Sequence, residues 1–288
     1  MKICLQCKIP TTTFYLQCSA CNWQAKNWQD HLIFSPELLQ VTEQFFNKNE
    51  FKNLYKLEST HFWFRARNQL ILWTISRYFS HIKNFLEIGC GTGYVISAIQ
   101  KKLPKLELFA ADVFQESLPF VKRRIGEEAT IFQMDARNIP FVDEFDLIGA
   151  FDVLEHIAED ELVLQQLYQA IKPGGGVILT VPQHPRLWSA IDIAACHVRR
   201  YTKNELSDKL IKNGFKIIFS TSFNTFLLPM MLLSRYLQRK MIKQEMETHS
   251  NKWMNELLNQ ILNFERVWIK LGIHFNVGGS RLVVAKKI

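Results

Sequence analysis

Asn84-Phe85-Leu86-Glu87-Ile88-Gly89-Cys90-Gly91-Thr92-Gly93-Tyr94 decides the fold. A short apolar run, Phe85 to Ile88, ends in three glycines separated by single residues, and a helical pattern from Val95 to Lys102 begins at once. This order reads as a strand, a tight turn and a helix. Glycine at all three turn positions means backbone angles that a side chain would forbid, or a backbone within contact distance of a ligand. The phosphate-binding form G-x-G-x-x-G places its third glycine three residues after the second; here the gap is two, and the acidic Glu87 stands before the turn. A bare strand-to-helix turn uses glycines as well, so the rest of the chain has to decide.

After the turn, strand and helix patterns alternate: Leu106 to Ala111, Gln115 to Ile125, Thr130 to Met134, Phe145 to Ala150, Glu159 to Ile171 and Val177 to Val181. Alternation of this kind predicts an α/β domain with a doubly wound, mostly parallel sheet, and ligands outside the carboxyl ends of its strands. The predicted strand ends carry Asp112, nineteen residues after Gly93, then Asp135-Ala136, then Phe151-Asp152-Val153-Leu154-Glu155-His156-Ile157. A carboxylate at Asp112 suits the two hydroxyl donors of a ribose. Asp152 and His156 are four apart and would share a face if Leu154 begins a helix, the alternative being a cap and a packing histidine.

The glycine turn with Glu87, then Asp112, Asp135, the DVLEHI stretch and Lys172-Pro173-Gly174-Gly175-Gly176 resemble, in order and spacing, the class I S-adenosylmethionine-dependent methyltransferases, over residues 83 to 181. The resemblance implies a Rossmann-like sheet of seven strands and a cofactor site at Glu87, Gly89, Gly91, Gly93, Asp112, Asp135, Ala136 and Asp152. It implies that Asp135 accepts from the adenine amino group while the Ala136 amide faces the ring. It also implies an arginine, on a helix before the first strand, that meets the cofactor's methionine carboxylate; Arg67 is the better-placed match and Arg65 the reserve. The aromatic run Phe62-Trp63-Phe64 beside them cannot all face one core, and serves either a ligand and lid or plain packing.

Cys4-x2-Cys7 and Cys18-x2-Cys21, ten residues apart, form a zinc-ribbon-like pattern in which four thiolates close a tetrahedral structural site. Disulfides are the alternative; without a recognisable export signal after Met1-Lys2, metal is the expectation, and with it a cytoplasmic location. The divisions expected are a zinc ribbon over 1–30, a helical cap over 31–82 through Leu38, Val41, Phe45 and Phe46, a methyltransferase core over 83–222 and 273–288, and a helical insertion over 223–272. Strand six is expected at Phe215 to Ser220 and strand seven at Arg281 to Ala285, and Thr202 with Glu205 predicts a helix-opening capping box.

The formal charge of +8 is uneven: residues 199–288 carry 16 Lys and Arg against 6 Asp and Glu, leaving residues 1–198 at −2. An anionic partner or a solvated basic face explains this equally well. Phe226 to Leu233 is apolar, and Arg235, Arg239, Lys240 and Lys243 follow; this reads as a peripheral membrane contact through 226–243, as a lid for an apolar acceptor, or as an ordinary packed helix.

After strand five, a loop carries His184, Arg186, Trp188, Asp192, His197, Arg200 and Tyr201 out over the carboxyl edge. His197, with Arg200 and Tyr201, is expected to form the acceptor side, an imidazole being able to take a proton near neutral pH; His184 and His156 compete for that role. The alternative is that His197 and Arg200 brace the loop against Asp192. The resemblance implies methyl transfer to an oxygen or nitrogen of a small-molecule or lipid-linked acceptor, with no catalytic metal. Rivals are an RNA or protein methyltransferase and a silent cofactor-binding scaffold. Nucleic acid is disfavoured because Phe151-Asp152-Val153-Leu154 replaces the Asn/Asp-Pro-Pro-Tyr/Phe tetrad of base-amine methylation.

Overall fold

The structure, a computed structural model, describes residues 1–11, 17–28, 31–39, 48–238 and 251–288. Two short strands, β1 (Lys2–Ile3) and β2 (Pro10–Thr11), pair antiparallel, and β3 (Lys26–Trp28) pairs antiparallel with β4 (His31–Ile33). Helices α1 (Lys48–Glu58) and α2 (Phe62–Tyr78) follow. The alternating part is β5 (Asn84–Ile88), α3 (Tyr94–Lys102), β6 (Glu107–Asp112), α4 (Leu118–Ile125), β7 (Ala129–Gln133), β8 (Phe145–Phe151), α5 (Asp160–Ala170) and β9 (Ile171–Pro182). Then come α6 (Ala190–Ala194), α7 (Lys203–Lys212), β10 (Phe215–Phe223), α8 (Leu228–Gln238), α9 (Lys252–Lys270) and β11 (Ser280–Lys287).

The large sheet has the order β10-β11-β9-β8-β5-β6-β7-β4-β3. Strands β4 to β9 pair parallel, β11 runs antiparallel between β9 and β10, and the sheet therefore holds nine strands rather than the expected seven. The two extra strands come from the amino-terminal region. His31, Leu32 and Ile33, expected to open a helical cap, instead lie along β7 with Leu32 opposite Phe132, all three buried. A run this short carries no period, and what settles it is the apolar sheet edge it covers. Phe34, next along, meets the Phe132 and Phe141 rings at 5.1 and 6.3 Å.

Two apolar layers sandwich the sheet, one built on Leu86, Ile148, Leu179 and α5, the other on Ile71, Ile75, Ile96 and Leu282. The amino-terminal segment that carries the four cysteines shares the first layer through Leu5 and Ala25. Lys172 to Gly176, part of the resembling pattern, lies within β9, where the pairing with β8 slips between Phe145 and Leu147 and Gly174 takes φ +79°. Leu154–His156 is one 3-10 turn, not the start of a helix. Thr202 and Glu205 close their capping box at the start of α7. Residues Thr12 to Tyr15, Val41, Phe45, Phe46, Arg239, Lys240 and Lys243 lie outside the described residues.

Candidate active site

Strand order reverses at β5, which stands between β6 and β8, and the carboxyl ends of these strands open onto one crevice. Gly89, Gly91 and Gly93 all take positive φ there, +66, +52 and +79°. A Cβ at Gly89 would stand 2.4 Å from Val153 Cγ2, so close packing against the end of β8 excludes one. At Gly91 a Cβ would meet nothing within 4 Å, so the missing side chain leaves room above the backbone. The Gly91 amide donates to Asp112 Oδ2 at 2.7 Å and the Phe114 amide to Oδ1 at 2.9 Å. Burial outweighs those two bonds and pushes the Asp112 carboxyl up to about 6. Glu87, at the end of β5, is buried, and its Oε2 has no hydrogen-bond partner among the described residues. Burial drives its pKa well upward, against the pull of Arg67.

Arg67 projects from α2, its guanidinium 4.5 Å from the Trp63 ring and 5.5 Å from Phe64, which gives part of the aromatic run a cation to cover. One Arg67 nitrogen pairs with Asp152, and Nε is buried without a partner among the described residues. Asp152, at φ +58°, also accepts from the Thr180 hydroxyl at 3.1 Å. These two expected cofactor residues are therefore brought together as an ion pair. Arg65 is engaged elsewhere, pairing with Glu256 of α9 at 2.9 Å. Asp135 accepts from the Arg137 side chain and backbone amide, so a base amine would share its oxygens with Arg137; Ala136 is buried beside it.

Helix α1 closes over the glycine turn. The Thr92 hydroxyl donates to Glu58, which also accepts from Arg124 at 2.8 Å, and Phe51 packs on Phe114 at 5.7 Å. Neither Glu58 nor Thr92 was singled out from the sequence, because their contact exists only once α1 docks across thirty-odd residues of chain.

The loop after β9 folds around Asp192. Its Oδ1 accepts from His197 Nδ1 at 3.0 Å and from Arg200 Nε at 2.6 Å, and its Oδ2 accepts from the Ser189 amide at 2.9 Å. Burial works against the Asp192 charge, but His197, Arg200 and Ser189 hold the carboxyl well below the usual range. Arg200 also donates to the Gln183 carbonyl at 2.8 Å. The bracing of His197 and Arg200 against Asp192 is thus present, and it leaves His197 Nε2 as the nitrogen directed elsewhere. The expectation for Tyr201 is corrected: the side chain is fully buried, and its hydroxyl donates to Asp160 at 2.7 Å and to the Leu154 carbonyl at 3.3 Å. It ties the loop to α5 and faces no acceptor. His184 takes φ +62° and its Nε2 has no partner among the described residues; burial and Arg281 push its pKa down. His156 stacks edge-on to His197, ring centroids 4.8 Å apart, and desolvation with the neighbouring imidazole pushes it down to about 4.

The model of the family described as "Methyltransferase domain" matches residues 85–175, which begin in β5 and end in β9 and include the glycine turn, Asp112 and Asp152. Residues 85–175 are a class I S-adenosylmethionine-dependent methyltransferase domain. A malonyl-[acyl-carrier protein] O-methyltransferase of Calditerrivibrio nitroreducens is 32% identical over 133 residues, 46% of this chain and 51% of that protein. A tRNA N(3)-cytidine methyltransferase of Homo sapiens is 28% identical over 52% of this chain and 57% of its own length. The chain thus spans about half the length of the curated relatives it matches. Phosphoethanolamine N-methyltransferase 2 of Haemonchus contortus, solved with S-adenosyl-L-methionine, shares the fold at a TM-score of 0.51 and 19% identity, over 75% of this chain and 52% of that one.

The methyltransferase core fits its cofactor on its own terms. The space over Gly91, the unpartnered Glu87 Oε2 and the buried Asp112 are the features that a ligand with ammonium and hydroxyl donors would satisfy. The four ribbon cysteines likewise bring their sulfurs within 4.8 Å of one another, with none in a disulfide. Backbone amides of Cys21 and Ala20 pull the Cys18 thiol down to about 6, while burial and the neighbouring thiols push Cys21 up to about 12.

Proposed function

We propose that this chain transfers the methyl group of S-adenosylmethionine to an oxygen or nitrogen of a small-molecule or lipid-linked acceptor. The observation that carries the reading is the row of strand-end groups at one crevice: open space over Gly91, Asp112 beneath it and Glu87 unpartnered beside it. The cofactor would supply an activated methyl on a cationic sulfonium. The chain's own groups then bind and align: Asp112 takes the ribose, Glu87 and Arg67 the charged methionine end, and Asp135 with Ala136 the base. His197 and Arg200 line the acceptor side, held in place by Asp192.

A lipid-linked acceptor is favoured by the insertion. Helix α9 packs Leu258, Leu262 and Ile269 inward, while Trp253, Leu257, Phe264, Trp268 and Leu271 recur at helical spacing and are exposed. On α8, Met230 and Leu233 are exposed as well. An apolar stripe in the region that carries a net +10 suits an anionic membrane surface. No helix among the described residues is long and apolar enough to cross a membrane. Zinc, bound by Cys4, Cys7, Cys18 and Cys21, is the proposed structural ion of the ribbon. Incubation with methyl-labelled cofactor and separate lipid, RNA and small-metabolite extracts is the test: label in the lipid or small-metabolite fraction is expected, and label in RNA alone would replace this acceptor with nucleic acid.

A further inference from the structure

Glu155 is fully buried at the turn after β8, and neither of its carboxylate oxygens has a hydrogen-bond partner among the described residues. Such a group is costly in either protonation state, because a neutral carboxyl still leaves its own hydroxyl and carbonyl unmet. One residue on, His156 lies at the surface, and His197 reaches the same spot from the loop after β9; a carboxylate oxygen of Glu155 and one ring nitrogen of each histidine all lie within 4.8 Å of one another.

The His197 imidazole is already oriented: its Nδ1 faces Asp192 Oδ1 at 3.0 Å, and in the neutral ring that bond makes Nδ1 the N–H donor and Nε2 the nitrogen that can ligate. His156 brings a ring nitrogen to the same point from the turn after β8. A histidine that donates one N–H to a carboxylate or carbonyl and directs the other nitrogen at a shared point is the usual arrangement around a metal ion. The two imidazoles stand edge to edge with ring centroids 4.8 Å apart, so both reach one point.

We propose that Glu155, His156 and His197 bind a divalent transition-metal cation, and that this ion holds an oxygen of the acceptor beside the methyl-donor crevice. Ions of this class sit about 2.0–2.2 Å from such ligands, which places tetrahedral ligand atoms about 3.4 Å apart. Small ring rotations close the present spacing to that value, and the surface position of His156 permits them. Three protein ligands leave coordination positions open, as a site that receives substrate requires. Arg67 lies within electrostatic reach of both Glu87 and Glu155, so the ion stands one arginine away from the cofactor end. The site deepens the transferase reading by assigning it an oxygen-bearing acceptor, and its ligands are distinct from the ribbon cysteines.

Manganese(II) separates the two metal sites, because it favours carboxylate and imidazole over a tetrathiolate. Electron paramagnetic resonance titration of the full chain, zinc left in place and no cofactor or acceptor added, is expected to show one Mn2+ bound per chain. His156→Ala and His197→Gln should each weaken it at least tenfold, while His274→Ala leaves it unchanged. His156 is at the surface, so that variant keeps the fold, which circular dichroism verifies. Glu155→Gln provides a third, near-isosteric check. No Mn2+ or Co2+ binding below millimolar concentration, or binding that survives His156→Ala, overturns the site. Because nothing in this titration depends on turnover, its failure would leave the acceptor assignment to be judged by the labelling experiment alone.

Discussion

Asp112 and Gly91 are held by one hydrogen bond, and they answer to different perturbations. Gly91→Val puts a branched side chain where the ligand needs space and into φ +52°, so calorimetry should find no cofactor binding. Asp112→Ala leaves donors unmet and should weaken binding by about 1–3 kcal/mol. Asp112 also sets a pH dependence. Its folded pKa of about 6 lies above the usual 3.8, so the folded chain holds a proton there that the unfolded chain has lost, and ionising it costs stability as pH rises from 3.8 through 6. Ribose hydroxyls need the ionised form as acceptor. Affinity should therefore rise as pH climbs through 6, with proton release on binding near that pH. Calorimetry in buffers of differing ionisation enthalpy measures the release, and Asp112→Asn should abolish it. At this scale the sequence was informative wherever chemistry is local: three glycines and the next strand-end carboxylate are read off spacing. Glu155 was quoted in its stretch yet passed over, since its meeting with His197 depends on a loop arriving from forty residues away. Tyr201 was misread for the same reason: a phenol in a polar loop looks exposed until Asp160 of α5 is seen to accept its hydroxyl's hydrogen bond.

Helix periodicity and strand alternation were legible through the core, where β6, β7, β8 and β10 lie within one to three residues of their expected limits. The miss was β4. Its three buried residues complete an edge that β7 would otherwise leave open, and tertiary pairing of that kind leaves no local signature. Phe34 anchors the addition, so Phe34→Ala should lower stability by about 3–5 kcal/mol in urea unfolding, the cost of removing a buried ring. The ribbon makes its own prediction. Metal analysis of Cys4→Ser/Cys18→Ser should show the zinc gone with the methyltransferase core still folded, and unchanged zinc would refute the tetrathiolate assignment. For α9, flotation with anionic vesicles should recover the wild type at low salt and lose Trp253→Ser/Leu257→Ser; equal recovery of both would return the stripe to a solvent-facing role.

Across the whole molecule the doubly wound, mostly parallel character of the sheet was predictable, because a glycine turn followed by alternating elements admits few right-handed windings; the two strands added beyond β7 were not. What the sequence concealed is that the amino-terminal ribbon is no appendage. The Ile3 amide donates to the Pro140 carbonyl at 3.0 Å, Lys8 donates to the Asn138 side chain at 2.8 Å, and Leu5 enters the apolar layer that holds Met134, Ala136 and Phe141. The ribbon therefore grips the segment that begins at Asp135, the proposed seat of the cofactor's base. With zinc on the four cysteines and the cofactor's base at Asp135, two ligands that never touch would share one stretch of backbone, and thermodynamic reciprocity would follow: whatever zinc adds to cofactor affinity, cofactor must add to zinc affinity. Competition against a graded series of zinc chelators, with and without saturating S-adenosylhomocysteine, should reveal the coupling as a shift in the ribbon's zinc dissociation constant. In that case the chain converts the availability of a trace element into a setting for its own methylating capacity.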